Sequence, residues 1–199
     1  LTGIYNTIGN VLSVDEKYVK ALNTAISTSK NFIITKDEPS AKQAISYLKD
    51  SHAGRATFFP ISVIKERYVD YDTINILKNS NDFVGIMSDL VKYNKEYENI
   101  IKNQLGIIVV ATSIDAATRL SHMIKSRYKI VTLGGDVINV GGSLTGGSNY
   151  IGKSSIILKQ EIQHLKKTFN LLKQEELEIK QSLQDKNKEI TAIEEKLFS

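Results

Sequence analysis

Ile107-Ile108-Val109-Val110, then the helical spacing Ala116, Ala117, Leu120, Ile124, then Lys129-Ile130-Val131-Thr132-Leu133, is the stretch on which the fold turns. Two short β-branched runs flank a segment whose apolar residues recur at helical intervals. That order argues for mixed α/β (α+β) packing. Just upstream, Tyr97, Ile101 and Leu105 share another helical face. The same plan occurs once earlier, with Tyr18, Leu22 and Ile26 on a helix and Phe32-Ile33-Ile34-Thr35 as a strand. Ala41, Ala44, Ile45 and Leu48 then mark a second helix, and Ala56-Thr57-Phe58-Phe59 a second strand. The repetition predicts two related lobes, residues 1–78 and 79–150, joined near the polar run Lys78-Asn79-Ser80-Asn81-Asp82. Asp15, Ser113, and Ser40 after Pro39 are the expected helix starts.

Beyond residue 150 the pattern changes. Residues 151–199 contain one of the 12 glycines and no proline. From Leu158 the seam runs Leu158, Ile162, Leu165, Phe169, Leu172, Glu176, Ile179, Leu183, Lys186, Ile190, Ile193, Leu197, with spacings of 4 and 3 in strict alternation. A seam of that period stays on one side of an under-wound helix and requires a partner helix. A helix over 155–198 would reach roughly 65 Å, so the segment is expected to project as a coiled-coil arm. Lys159, Lys166, Lys173 and Lys180 fall at successive e positions, with Glu161, Glu175 and Glu189 at g. Such a stripe can bind phosphate but more often sets helix pairing, and an antiparallel partner should then be acidic where it meets the lysines. Residues 1–150 offer no such helix, so the partner lies outside them or is a second copy.

Composition narrows the classes. The chain carries 26 Lys+Arg against 22 Asp+Glu, a net charge of +4, 41% hydrophobic and 24% charged residues. These values fit a folded domain and exclude wholesale disorder. The charge permits nucleic-acid contact without arguing for it alone. No apolar stretch is long enough to span a bilayer, and the N-terminus lacks the basic-then-apolar order of a signal peptide. A first residue of Leu is read as the start of an excised fragment. With no Cys and three scattered histidines, His52, His122 and His164, neither disulfides nor a metal cluster is expected, and a reducing compartment fits. The carboxylates Asp15/Glu16, Asp37/Glu38, Glu66, Asp70 and Asp72 sit in polar or helix-start contexts and form no catalytic set. His122 is expected to be partly packed. Arg55 can bind an anion or pair with a local carboxylate.

Two motifs remain. Gly147-Ser148-Asn149-Tyr150-Ile151-Gly152-Lys153-Ser154 matches the P-loop pattern G-x-x-x-x-G-K-[ST]. It lacks the buried strand that should run into its first glycine, no Walker B strand is apparent, and a projecting helix follows it. Gly134, Gly135, Gly141, Gly142, Gly146 and Gly147 fall within fourteen residues around Val137-Ile138-Asn139-Val140. They read either as two tight hairpin turns or as a side-chain-poor edge against which a second subunit's strand can pair.

Ala53-Gly54-Arg55-Ala56-Thr57-Phe58-Phe59-Pro60 resembles the G-R-A-T-F-L-P signature of the hinge domain of SMC (structural maintenance of chromosomes) proteins. Val131-Thr132-Leu133-Gly134-Gly135-Asp136 is similar to that domain's V-T-L-x-G-D element, and Gly142–Ser148 to its G-x-L-T-G-G-S. Asp82-Phe83-Val84-Gly85 with Asp89-Leu90-Val91 resembles the opening of its second lobe. The chain is identified on these residues as a member of the hinge family, of the bacterial chromosome-partition kind. Gly134 departs from the pattern, which usually has an acidic residue there. The resemblance implies a homodimer of two-lobed hinges paired through the glycine-rich edge, here Gly134, Gly135, Gly141, Gly142, Gly146 and Gly147. It implies a non-catalytic segment without cofactor, in a parent ATPase that binds ATP and Mg in distant heads. The N-terminal arm helix of the same parent chain would cover the seam. DNA contact carries by position onto Lys153, and along the arm root onto Lys159, Lys166 and Lys167. A cytoplasmic, nucleoid-associated protein without membrane contact is the expected setting. A P-loop NTPase and a purely structural coiled-coil adaptor are the competing readings.

Overall fold

The computed structural model describes residues 2–147 and 155–197. The chain divides into two compact units, Leu1–Ile156 and Ile157–Ser199.

The first unit is a tandem repetition of one plan. Its first half runs β1 (Ile4–Thr7), α1 (Ile8–Val11), β2 (Ser13–Val14), α2 (Val19–Ala25), β3 (Ile33–Thr35), α3 (Glu38–Asp50) and β4 (Phe58–Pro60), followed by the helix α4 (Tyr71–Lys78). Its second half repeats the order as β5 (Phe83–Ile86), α5 (Met87–Leu90), β6 (Val91–Lys92), α6 (Glu98–Leu105), β7 (Ile108–Ala111), α7 (Ile114–Met123) and β8 (Lys129–Thr132). A hairpin of β9 (Val137–Ile138) and β10 (Leu144–Thr145) then has no counterpart in the first half.

Pairing repeats with the elements. β1 lies antiparallel and β4 parallel to β3, giving the order β1-β3-β4. β5 lies antiparallel and β8 parallel to β7, and β9 and β10 extend that sheet to β10-β9-β8-β7-β5. The equivalent strands β2 and β6 pair with each other, Ser13 with Lys92 and Val14 with Val91, and so join the two lobes.

Local chemistry explains the helix starts. Asp37, not Ser40, caps α3: its carboxylate accepts from the Ser40 N–H at 2.9 Å and the Ser40 hydroxyl at 2.6 Å, and Pro39 fills the first turn. Ser113 caps α7 through the Ala116 N–H. Asp15 precedes a short 3-10 turn and makes no side-chain cap. β7 is buried throughout and β8 from Ile130 on, with Val109, Val110, Ala111, Ile130 and Val131 fully inaccessible. α7 packs Ala116, Ala117, Leu120 and Ile124 into the same core. Val69 and Leu77 belong to that core as well. The helix ahead of the polar run 78–82 thus packs with the strands of the second half. The polar run there is a tethered turn, because Asp82 accepts both Nε and Nη2 of Arg119 at 2.7 and 2.8 Å.

The second unit is the single helix α8 (Ser155–Leu197). Its seam residues Leu158, Ile162, Leu165, Phe169, Leu172, Ile179, Leu183, Ile190 and Ile193 are all exposed. The side chain of Leu197 lies outside the described residues. No helix among the described residues is long and apolar enough to cross a membrane.

Candidate interaction edge

β4 and β8 stand at equivalent places in the two halves of the first unit, and only one of them is an edge. β8 takes β7 on one side and β9 on the other, so Ile130, Val131 and Thr132 are buried. β4 takes β3 on one side and, among the described residues, no strand on the other. Its Phe58, Phe59 and Pro60 are only half-buried, although Phe59 stacks on Phe32 with centroids 5.4 Å apart. The loop ahead of it, residues 51–57, is exposed throughout. At the far end of the larger sheet β10 is an edge strand, with Leu144 63% and nearby Val140 65% exposed. An edge of this kind offers unpaired N–H and C=O groups to another chain.

The six glycines expected to form one edge divide into three places. Gly134 and Gly135 make the β8–β9 turn, where the Gly135 carbonyl accepts from the Thr24 hydroxyl of α2 at 3.2 Å. Gly135 has φ +97°, a conformation that L side chains rarely adopt, and a Cβ there would meet Thr24 Oγ1 at 3.2 Å. Gly135 thus serves the contact between the two halves of the same chain. Gly134 has room for a side chain, its nearest neighbours standing at 3.5 Å from a would-be Cβ. Gly141 and Gly142 form the β9–β10 turn, where the Gly141 N–H donates to the Ser126 carbonyl and the Gly142 N–H to that of Asn139. Gly146 and Gly147 end β10 and are exposed. Of the six, these two lie on the free edge strand's exit.

The cations expected to touch DNA are distributed differently. Lys153 lies outside the described residues, as does all of the P-loop-like segment except Gly147. Lys159 is within α8, but its side chain is outside the described residues. Lys166 and Lys167 are exposed on α8. Arg55 is exposed and makes no ion pair among the described residues, and His122, expected to be partly packed, is exposed too.

A cluster not legible in sequence is built around Asp70, which caps α4. Its carboxylate accepts from the Thr73 N–H at 2.9 Å, the Tyr128 hydroxyl and the Thr73 hydroxyl, with Arg127 at 3.3 Å. These donors, the Thr73 N–H foremost, hold its pKa down to about 2. Tyr128 stands 58 residues away, so no local signal announces the cluster. Elsewhere Arg119 lowers the pKa of Asp82, Lys92 that of Asp15, and burial that of Lys129. No group of three or more His, Asp or Glu among the described residues could hold a metal ion.

Comparison with known proteins places this geometry. The flexible hinge domain of SMC proteins matches residues 1–121. The chromosome partition protein Smc of Bacillus subtilis is 34% identical over 192 residues, covering 92% of this chain. The chain spans only 16% of that relative's length. The crystal structure of an asymmetric dimer of the Geobacillus stearothermophilus SMC hinge domain is 34% identical with a TM-score of 0.79, covering 86% of this chain and 69% of that one. The Pyrococcus furiosus Smc hinge domain with an extended coiled coil is 28% identical with a TM-score of 0.62, covering 88% and 61%. These matches favour the hinge reading over the P-loop and adaptor readings.

Proposed function

This chain belongs to the SMC flexible hinge domain family, and on that premise we propose that it joins two copies of itself, the outer edge of β10 in each meeting the outer edge of β4 in the other. The uncovered side of β4 carries the reading. In the second lobe the equivalent strand is sealed in cis by β9, whereas β4 keeps two half-buried phenylalanines and a free ladder side. A strand from a second copy supplies what the hairpin supplies in the other lobe, by β-augmentation. Gly146 and Gly147 let the two backbones approach, while Gly134, Gly135, Gly141 and Gly142 shape the turns that present the edge.

The chain lacks cysteine, which makes the test direct. Thr57→Cys and Thr145→Cys chains, mixed and oxidised, should form a disulfide between copies, and the unaltered chain should sediment as a dimer at micromolar concentration. A monomer at that concentration without cross-linking overturns the reading.

The longer protein is read as an ATPase with ATP and Mg bound in distant heads, and the seam of α8 as the site of its N-terminal arm helix. DNA contact at the arm root is the finer part of the proposal, through Lys153 with Lys159, Lys166 and Lys167. Binding should be indifferent to sequence and weaken with salt by about 0.9 in log K per log salt for each duplex phosphate contact. Lys153→Glu should lower both affinity and slope with the dimer intact. Lys180→Glu should do much less, since Lys180 is engaged by Glu176 at 2.7 Å. Equal losses would make the whole lysine stripe the DNA site.

A further inference from the structure

We infer that Asp136 is a positioning residue for the dimer edge: its carboxylate is the stop against which Gly146 rests, and so sets where β10 ends and how its outer side is presented. The inference rests on β10 being that edge. Asp136 closes the β8–β9 turn through a reciprocal clasp with Thr132. The Asp136 N–H donates to Thr132 Oγ1 at 3.0 Å, the Thr132 hydroxyl donates to Asp136 Oδ2 at 3.1 Å, and the Thr132 N–H donates to the Asp136 carbonyl at 2.9 Å. Thr132 is fully buried, so the side chain holding the carboxylate cannot swing away.

The other oxygen faces the edge. A Cβ on Gly146 would lie 2.8 Å from Asp136 Oδ1, well inside van der Waals contact. Gly146 is not among the positive-φ glycines, so its backbone tolerates a side chain and the obstruction is the carboxylate alone. β10 pairs with β9 over two residues, Leu144 with Ile138 and Thr145 with Val137, and Asn139 Nδ2 donates across the hairpin to Ser143 and Thr145. These ties end at Thr145, and the Asp136–Gly146 contact is the next constraint on the strand's exit. The same turn is tied to the first lobe by the Thr24–Gly135 hydrogen bond, which fixes the stop relative to the lobe that carries β4.

Contact by shape rather than charge has a distinctive mutational pattern. Gly146→Ala in the full chain should raise the dimer dissociation constant by about tenfold or more, the size typical of directly coupled neighbours. Asp136→Ala should remove most of that increment when combined with Gly146→Ala, because the methyl then has room. Asp136→Asn keeps the bulk and should not rescue. Thr132→Val, which frees the carboxylate to turn aside, serves in place of Asp136→Ala if that variant does not fold. Amide hydrogen exchange of β10, followed at concentrations where the chain is monomeric, should show the same order: faster in Gly146→Ala, restored by Asp136→Ala and not by Asp136→Asn. Additive losses, or equal rescue by Asn and Ala, overturn the inference. An unaltered chain that is monomeric throughout overturns the dimer reading instead, and the exchange pattern still decides the role of Asp136.

Discussion

β4 and β8 occupy the same place in two copies of one plan and live in opposite surroundings. Each is the parallel neighbour of a buried strand, Phe59 lying across from Ile34 and Ile130 across from Val109. β8 is sealed on its outer side by β9, and its Ile130 is fully buried. β4 has no such cover among the described residues, yet its composition is no concession to water: two phenylalanines remain half-exposed, and only Pro60 blunts the ladder. A repeat thus conserves topology without conserving burial. The apolar surplus on the open strand is what a second chain can use, and an edge meant to stay solitary would carry charge instead.

Removing the equivalent side chains separates the two environments most sharply. Ile130→Ala should destabilise the chain by about 2–5 kcal/mol at any protein concentration, as a core truncation does. Phe59→Ala should matter chiefly where the dimer forms, so its effect in thermal melts should shrink on dilution. Equal, concentration-independent losses would break the comparison. The next largest effect concerns the edge itself. Gly146→Val with Gly147→Val should raise the dimer dissociation constant by about a hundredfold, roughly 2.7 kcal/mol, and leave folded monomers by circular dichroism and sedimentation.

Asp70 sharpens the contrast from inside the second lobe. Its pKa is depressed to about 2 when folded, so its contribution is present above the unfolded value near 4 and is lost as pH falls through the folded one. Asp70→Asn should therefore lower the melting temperature at pH 7, and the gap to the unaltered chain should close between about pH 5 and pH 1. A gap undiminished at pH 2 would point to packing rather than charge. The smallest effect is expected where the lobes meet. Lys92 and Asp15 form a 2.9 Å ion pair with 74% and 58% of their side chains exposed, and Lys92→Ala should leave the melt unchanged, because the β2–β6 backbone pairing and the buried Val14 and Val91 hold the joint.

Legibility followed the length of the signal. β7, β8 and α7 were readable because apolar β-branched runs and helical spacing persist over enough residues to define a period, and α8 because its seam repeats over its whole length. β2, β6, β9 and β10 span two residues each, too few for any period. α4 escaped because Thr73, a buried polar residue, occupies a core-facing position that its bonds to Asp70 and Arg127 make tolerable. The turn at 78–82 reads as a linker by composition, whereas the Asp82–Arg119 pair that tethers it spans 37 residues. The glycine cluster was visible as a cluster. Its division among a lobe contact, a hairpin and an edge depends on Thr24, Ser126 and Asp136, none of which is adjacent to the glycine it meets.

The β2–β6 pairing bears on how the chain acquires its shape. Ser13 and Lys92, whose hydrogen bond crosses it, are 79 residues apart. At synthesis rates of about 5–20 residues per second, β2 emerges roughly 4–16 s before its partner exists. Helices α2 and α3 can form locally in that interval, but the apolar face of Val14 stays open until β6 arrives. Closing so long a loop late gives the domain a high contact order and slow docking of its halves. The nascent first lobe is consequently the stage at which this chain is most exposed to holdase chaperones and to pairing with the wrong neighbour.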